Sequence, residues 1–292
     1  MNIITFDIEE WALAKAKGIT DVAVYAEYDR YLDIILGALD ERGFKATFFC
    51  TGEMASWFPK VVKIIESRGH EIGCHSNVHT WLNKVTIEEC KEDTHAAVDA
   101  LEQCIGRKVL SYRAPAFSIG ENNKWAFEIL ADNGIERDAS IFPAMRDFGG
   151  FAGFGQQVPS IVSVEGIKMK EFPIPMTTVL GKQIAYSGGG YFRLFPLGFV
   201  KSQMAKFDYV MTYFHIDDLI PEMGGVPSKE AYEAYYKQPG TLKNRYMRYI
   251  KANLGKKGAL DKMLKLIKSE EFMNIEESCK VIDWESAPEV KL

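Results

Sequence analysis

The sequence has no apolar run approaching the roughly 18–20 residues that a membrane-crossing helix needs. It has no basic surplus either. The 35 Lys and Arg against 40 Asp and Glu leave a net charge of −5, which argues against general binding to nucleic acid. The five cysteines (Cys50, Cys74, Cys90, Cys104 and Cys279) are odd in number, scattered and without a CxxC pair. They predict reduced thiols in a cytoplasmic protein. The opening "MNIITFDIEEW" lacks a basic segment and reaches acids by Asp7, unlike a signal peptide. Internal repeats and low-complexity linkers are missing, which favours one domain of 1–292. Histidine is scarce as well: His70, His75, His79, His95 and His215 are all there are, and three of the five fall in "GHEIGCHSNVH".

What is present alternates. "NIITFDI", "KATFFCTG", "HEIGCH", "VLSYRAP" and "ERDASIFP" read as strands, rich in β-branched and aromatic residues. Between them, "EYDRYLDIILGALDERG", "FPKVVKIIESRG", "TIEECKEDTHAAVDALEQCIG" and "NNKWAFEILADNG" have helical spacing. Thr86 with Glu89 forms a capping-box signature, and Gly43 and Gly69 close their helices. Strand–helix alternation predicts βαβ units and an α/β fold built on a parallel sheet or barrel. From about 146 to 166 the texture turns glycine-rich and predicts a loop-rich insertion. "KEFPIPMT" and "DYVMTYFHID" restore the strand signal, and "SGGGYFRLFP" between them reads as a turn. The region of about 228–270 is helical and basic, and "IEESCKVIDW" reads as a final strand or edge.

His75 and His79 are four apart at the C-terminal end of a strand, where α/β folds place their sites. On a turn or tight loop that spacing lets both imidazoles face one cation, although an isolated HxxxH is more often a pair of solvated histidines. "TFDIEEW" puts Asp7, Glu9 and Glu10 at the end of the first strand, with Asp7 and Glu9 on the same face by alternation. Two histidines plus a carboxylate is a common catalytic zinc set with one position open for water. Acids that simply end a strand are the plainer reading of this cluster alone.

Taken together, the motifs resemble the polysaccharide deacetylases of carbohydrate esterase family 4. "TFDIEEW", "GHEIGCHSNVH", "YRAPAF", "DASIFP" and "TYFHIDD" follow that family's five motifs in order. "FDIEEW", "YRAPAFSI", "DASIFP" and "GGGYFRLFP" look most like the subgroup encoded with bacterial exopolysaccharide and O-antigen clusters. The resemblance implies a distorted (β/α) barrel and a metal-dependent hydrolase that removes N-acetyl groups from sugars. By position it makes His75, His79 and Glu9 the metal ligands, with Glu10 as the alternative carboxylate. Asp7 becomes the general base, Arg113 the residue that holds it, and His215 the acid, oriented by Asp138. The N–H of Ala116 would face the oxyanion. Two departures stand out. The first motif has Glu9 and Glu10 where a second aspartate is usual, and the late motif reads "HIDD" where the subgroup has HPWE, with Asp218 standing in for its acid. Zinc is the default metal for such donors, and cobalt, nickel or iron fit the same set.

The expected substrate is an acetamido sugar in a nucleotide-linked or lipid-linked precursor of a surface polysaccharide. Trp11, Phe117, Tyr191 and Arg193 are candidate substrate contacts, Arg193 as a phosphate clamp beside the glycines of "SGGGYFR". "LKNRYMRYIKANLGKKGALDKMLKLIK" holds nine Lys or Arg against one Asp, a composition suited to peripheral contact with an anionic membrane or to a solvated helix face. His70 is expected to be structural and His95 solvated. The competing readings are a catalytically impaired metal-bearing glycan-binding or scaffold protein of the same fold, an allantoinase-like amidase, or a glycosidase using the Asp7 and Glu9 pair.

Overall fold

The strands "TFDI" (Thr5–Ile8), "TFFC" (Thr47–Cys50) and "EIGC" (Glu71–Cys74) are buried at every position, not at alternate ones. That is the pattern of central parallel strands covered on both faces. The computed structural model describes residues 1–146, 148–221 and 225–292. In it these three strands lie side by side in a nine-stranded sheet. The order runs Phe214–His215, Thr5–Ile8, Thr47–Cys50, Glu71–Cys74, Ser111–Tyr112, Arg137–Asp138, Ile167–Glu171, Ser160–Val164, Glu289–Lys291. All pairs are parallel except the hairpin of Ser160–Val164 with Ile167–Glu171. Asn2–Ile3 pairs separately with Val210–Met211.

The sheet curls. Arg113, just past the strand Ser111–Tyr112, reaches Thr5, Asp7, Ala139 and Met211 at once. Its own strand neighbours only Glu71–Cys74 and Arg137–Asp138, so its guanidinium spans the interior of a distorted, incompletely laddered barrel. The helices pack outside. Val22–Arg42 starts at Asp21, whose side chain accepts from Ala23 N–H, and stops at Gly43 in the left-handed conformation (φ 68°). Ile87–Ile105 carries the full capping box of Thr86 and Glu89.

Four expectations change. "VLSYRAP" and "ERDASIFP" contribute ladders of only two residues, Ser111–Tyr112 and Arg137–Asp138. The glycine-rich segment of 146–166 ends in the strand Ser160–Val164, with a tight turn at Glu165 and Gly166 (φ 47° and 88°); Asp147 in this segment lies outside the described residues. "SGGGYFRLFP" contains a short helix, Gly189–Leu194, instead of a turn. "IEESCKVIDW" is the helix Ile275–Val281, because Asn274 and Glu277 cap it reciprocally; the edge strand is Glu289–Lys291. The basic region divides into Lys229–Tyr236, Leu242–Asn253 and Ala259–Ser269. The last of these buries Ala259, Met263, Leu266 and Ile267, which fixes that face to the core. Among the described residues no helix is long and apolar enough to cross a membrane.

Candidate active site

Three chain segments meet at the C-terminal ends of the central strands. Thr5–Ile8 ends in Asp7 and then Glu9, which precedes the helix Glu10–Ala16. Glu71–Cys74 leads into His75 and a loop that returns to His79. Ser76 and His79 both take positive φ (63° and 62°), a backbone cost that bends the loop so that both rings face Glu9. Asp93 holds that bend by accepting from Asn77 N–H (2.9 Å) and the Thr80 hydroxyl (2.6 Å).

Glu9 Oε2 lies 2.7 Å from His79 Nε2 and 3.3 Å from His75 Nε2. His75 Nδ1 is 2.7 Å from the Arg113 carbonyl, which can only accept, so Nδ1 carries the hydrogen and Nε2 presents a lone pair. His79 Nδ1 is 3.2 Å from the Tyr235 hydroxyl, which permits the same tautomer. Glu9 Oε2 is buried and no hydrogen bond satisfies it. Lone pairs of two imidazoles and a carboxylate thus converge, and a cation is what relieves them. The donor set, two nitrogens and one oxygen all within 4.8 Å of one another, fits zinc or a similar divalent ion with one position left open.

Glu10 does not join this cluster. Its carboxylate accepts from Glu9 N–H (3.2 Å) and from Asp217 N–H (2.9 Å), tying the ligand loop to the loop after His215. Burial, opposed by His215 and reinforced by the charge on Glu9, lifts Glu10 to about 7.

Asp7 accepts from Arg113 Nη1 at 2.8 Å through Oδ1 and turns Oδ2 toward His215 Nε2, 3.8 Å away. His215 pairs in register with Asp7 along the strand Phe214–His215. Its ring is a third exposed, and Nε2 also lies 3.7 Å from Glu9 Oε1. The other ring nitrogen, Nδ1, is 3.2 Å from Asp218 Oδ2, and that oxygen also accepts the His215 backbone N–H at 3.1 Å. Burial disfavours the charged imidazole, but Asp218, Glu9 and Asp7 prevail and raise its pKa well above the ordinary histidine range.

Asp138 is not the partner of His215. It accepts from the Ser140 hydroxyl (2.6 Å) and N–H (3.1 Å). The two belong to strands separated by four others in the sheet order, and Asp218 occupies the Nδ1 side of the ring. Ser140 in turn accepts from Ala114 N–H (2.7 Å), so Asp138 braces the segment carrying Arg113 to Ala116. Ala116 and Phe117 both have positive φ (55° and 54°) in the tight turn Pro115–Phe117.

The expected substrate contacts fare unevenly. Trp11 is buried beneath the helix Val22–Arg42, against Tyr28, with its indole N–H donating to Asp29 at 2.9 Å. Phe117 is buried among Phe142 and Tyr213. Arg193 is buried too: it donates to the carbonyls of Ala252 and Lys251 and lies 3.4 Å from Asp218, which leaves no free fork for a phosphate. Only Tyr191 is exposed, at 38%. His70 is fully buried and its Nδ1 accepts from Ala46 N–H; His95 is exposed beside Asp99. Tyr235 had no local sequence signal, because its partner His79 lies 156 residues earlier.

Residues 4–137 match a family described as polysaccharide deacetylase, and residues 139–280 match one described as a domain of unknown function, DUF3473. A peptidoglycan-N-acetylglucosamine deacetylase of Bacillus cereus is 34% identical over 127 residues, which span 41% of this chain and 46% of that protein. An uncharacterized Bacillus subtilis protein, YlxY, is 32% identical over 104 residues, 36% of this chain and 32% of its own length. The chain thus matches less than half the length of these curated relatives. A Mycobacterium smegmatis structure provisionally described as a polysaccharide deacetylase shares the fold at a TM-score of 0.64 and 16% identity, over 100% of this chain and 92% of that one. Glu9, His75 and His79 all fall inside residues 4–137, the span that matches the polysaccharide deacetylase family.

Proposed function

We propose that the protein is a metal-dependent de-N-acetylase acting on an acetamido sugar in a precursor of a surface polysaccharide, O-antigen, capsule or exopolysaccharide. The observation that carries the reading is the opposition of Asp7, held by Arg113, to His215, held by Asp218, across the Glu9, His75 and His79 cluster. An acetamide is a poor electrophile with a poor leaving group, so its hydrolysis needs both a base and an acid. Glu9, His75 and His79 would hold a divalent ion, which would supply Lewis acidity toward the acetyl carbonyl. Asp7 Oδ2, the carboxylate oxygen turned away from Arg113, takes the proton of the attacking water. Oxygen bonds to the acetyl carbon, and the carbon–nitrogen bond then breaks. His215 Nε2 delivers the proton that the leaving nitrogen needs, and Asp218 stabilises the imidazolium that holds it. Ala116, in its tight turn, is the residue proposed to offer an N–H to the oxyanion.

The cluster chemistry supports zinc, with cobalt, nickel or iron as alternatives. The curated relative named for N-acetylglucosamine supports an acetamido group as the target. Five free cysteines support a reducing compartment, the cytoplasm, and hence a nucleotide-linked or lipid-linked substrate over an exported polymer. The test is acetate release from nucleotide-linked and lipid-linked N-acetyl sugars, before and after chelation, beside metal analysis of the untreated protein. Release abolished by chelation and restored by added zinc or cobalt is expected. Acetate release that survives complete metal removal would overturn the metal-dependent reading. Bound metal with no release from either class would favour a silent glycan-binding protein.

A further inference from the structure

The helix Leu242–Asn253 is inside out. None of its residues is buried. Its polar side faces the protein: Arg245 donates to the Pro227 carbonyl (3.1 Å) and Arg248 to the Tyr236 hydroxyl (2.7 Å). Its apolar side faces away. Leu242, Tyr246, Ile250 and Leu254, spaced four apart, are 67%, 53%, 42% and 53% exposed, and Met247 beside them is 46% exposed. A surface helix in water normally turns its apolar stripe inward. The segment Leu242–Lys257 holds six Lys or Arg and no Asp or Glu, in a chain whose net charge is −5. Lys243 and Lys257 are exposed at either end of the stripe.

We infer that this face seats in the interfacial layer of an anionic membrane. Apolar side chains enter the acyl boundary there, and flanking lysines meet acidic headgroups, as in interfacial amphipathic helices. A second copy of the chain is the poorer occupant, because pairing two such faces sets the exposed lysines that flank one stripe against those of the other. The short helix Gly189–Leu194, joined to this one through Arg193, adds exposed Tyr191 and Leu194. The seat is also wired to the chemistry. Arg193 holds the carbonyls of Lys251 and Ala252 with one part of its fork and lies 3.4 Å from Asp218, the partner of His215. Docking therefore sets the site beside the bilayer, where a lipid-linked acetamido sugar presents its head. The inference rests on the deacetylase reading for its substrate, and vesicle binding reports on it without reference to acetate.

The experiment is co-sedimentation of the purified full chain with phosphatidylcholine vesicles, with and without about one-third phosphatidylglycerol. Partition onto the anionic vesicles about tenfold or more above the neutral ones, weakening with salt, is expected. The double variant Tyr246→Asp, Ile250→Asp should lose that partition. It should keep its thermal midpoint and its acetate release from a soluble substrate, since both side chains are exposed. Absence of binding, or equal binding by the variant, would overturn the inference. So would a dimer in solution that the same substitutions dissolve. Vesicle binding that persists when no acetamido sugar yields acetate would sink the deacetylase reading and leave the membrane seat standing.

Discussion

Asp218 Oδ2 grips His215 twice, at Nδ1 (3.2 Å) and at the backbone N–H (3.1 Å). Such a grip fixes the tautomer and stabilises the charged ring. Asp218→Asn should lower kcat/KM by about 100-fold. In the proposed mechanism His215 acts as an acid, so activity should fall as pH rises through its pKa. Removing the Asp218 charge lowers that pKa and shifts the basic limb of the profile to lower pH. Asp138→Asn should leave the limb in place. A limb that moves with Asp138 and not with Asp218 would reverse the assignment.

The metal centre makes a second prediction. Glu9→Ala removes the only carboxylate of the cluster and should abolish stoichiometric metal retention on dialysis. Tyr235→Phe removes the hydroxyl 3.2 Å from His79 Nδ1 and should weaken metal binding by about 10–100-fold, read by competition with a chelating dye. A metal held by this native cluster would stabilise the fold, so chelation should also lower the thermal midpoint.

Arg113 and Asp7 form a buried ion pair, each almost wholly enclosed. Arg113→Met leaves the Asp7 charge uncompensated and should cost about 3–5 kcal/mol in urea unfolding. A loss below about 1 kcal/mol would mean that Asp7 is not relying on this partner.

His70 supplies a pH dependence remote from the metal. Burial first, then Lys45, pushes its pKa down to about 4, so the folded state keeps it neutral. Its stabilising effect is complete above the unfolded histidine value near 6.5. As pH falls from there toward 4, the unfolded chain binds the proton and stability drops by about 1.4 kcal/mol per pH unit. His70→Gln should flatten urea midpoints across that window, and an unchanged slope would remove His70 as the cause.

Much of the arrangement was readable from local chemistry. The strand segments rich in β-branched and aromatic residues, the capping box of Thr86 and Glu89, and the motifs "FDIEE" and "HSNVH" are each contained within a few residues. What escaped depends on distance or on neighbours. The glycines of "SGGGYFR" suggested a phosphate cradle, yet Gly188 is small because a Cβ there would stand 2.2 Å from the Tyr213 carbonyl. Arg193 beside them looks outward in sequence and turns inward in the fold, toward carbonyls 58 and 59 residues away. Trp11 sits beside the first motif and still packs under a helix. The capping pair Asn274 and Glu277 was legible, and it outweighed the strand propensity of the residues that follow. Glu9 and Glu10 are equivalent as letters; only the turn after Ile8 sends one to the histidines and the other to two N–H groups.

Glu10 and Asp217 are bonded across 207 residues, and the strand bearing His215 lies against the one bearing Asp7. On the ribosome the base and all three cluster residues emerge long before the proton donor does. A nascent chain halted before Tyr209 would hold a metal trap with an open strand edge and no acid. The proposed hydrolytic competence would therefore arrive late in synthesis, as a consequence of chain order.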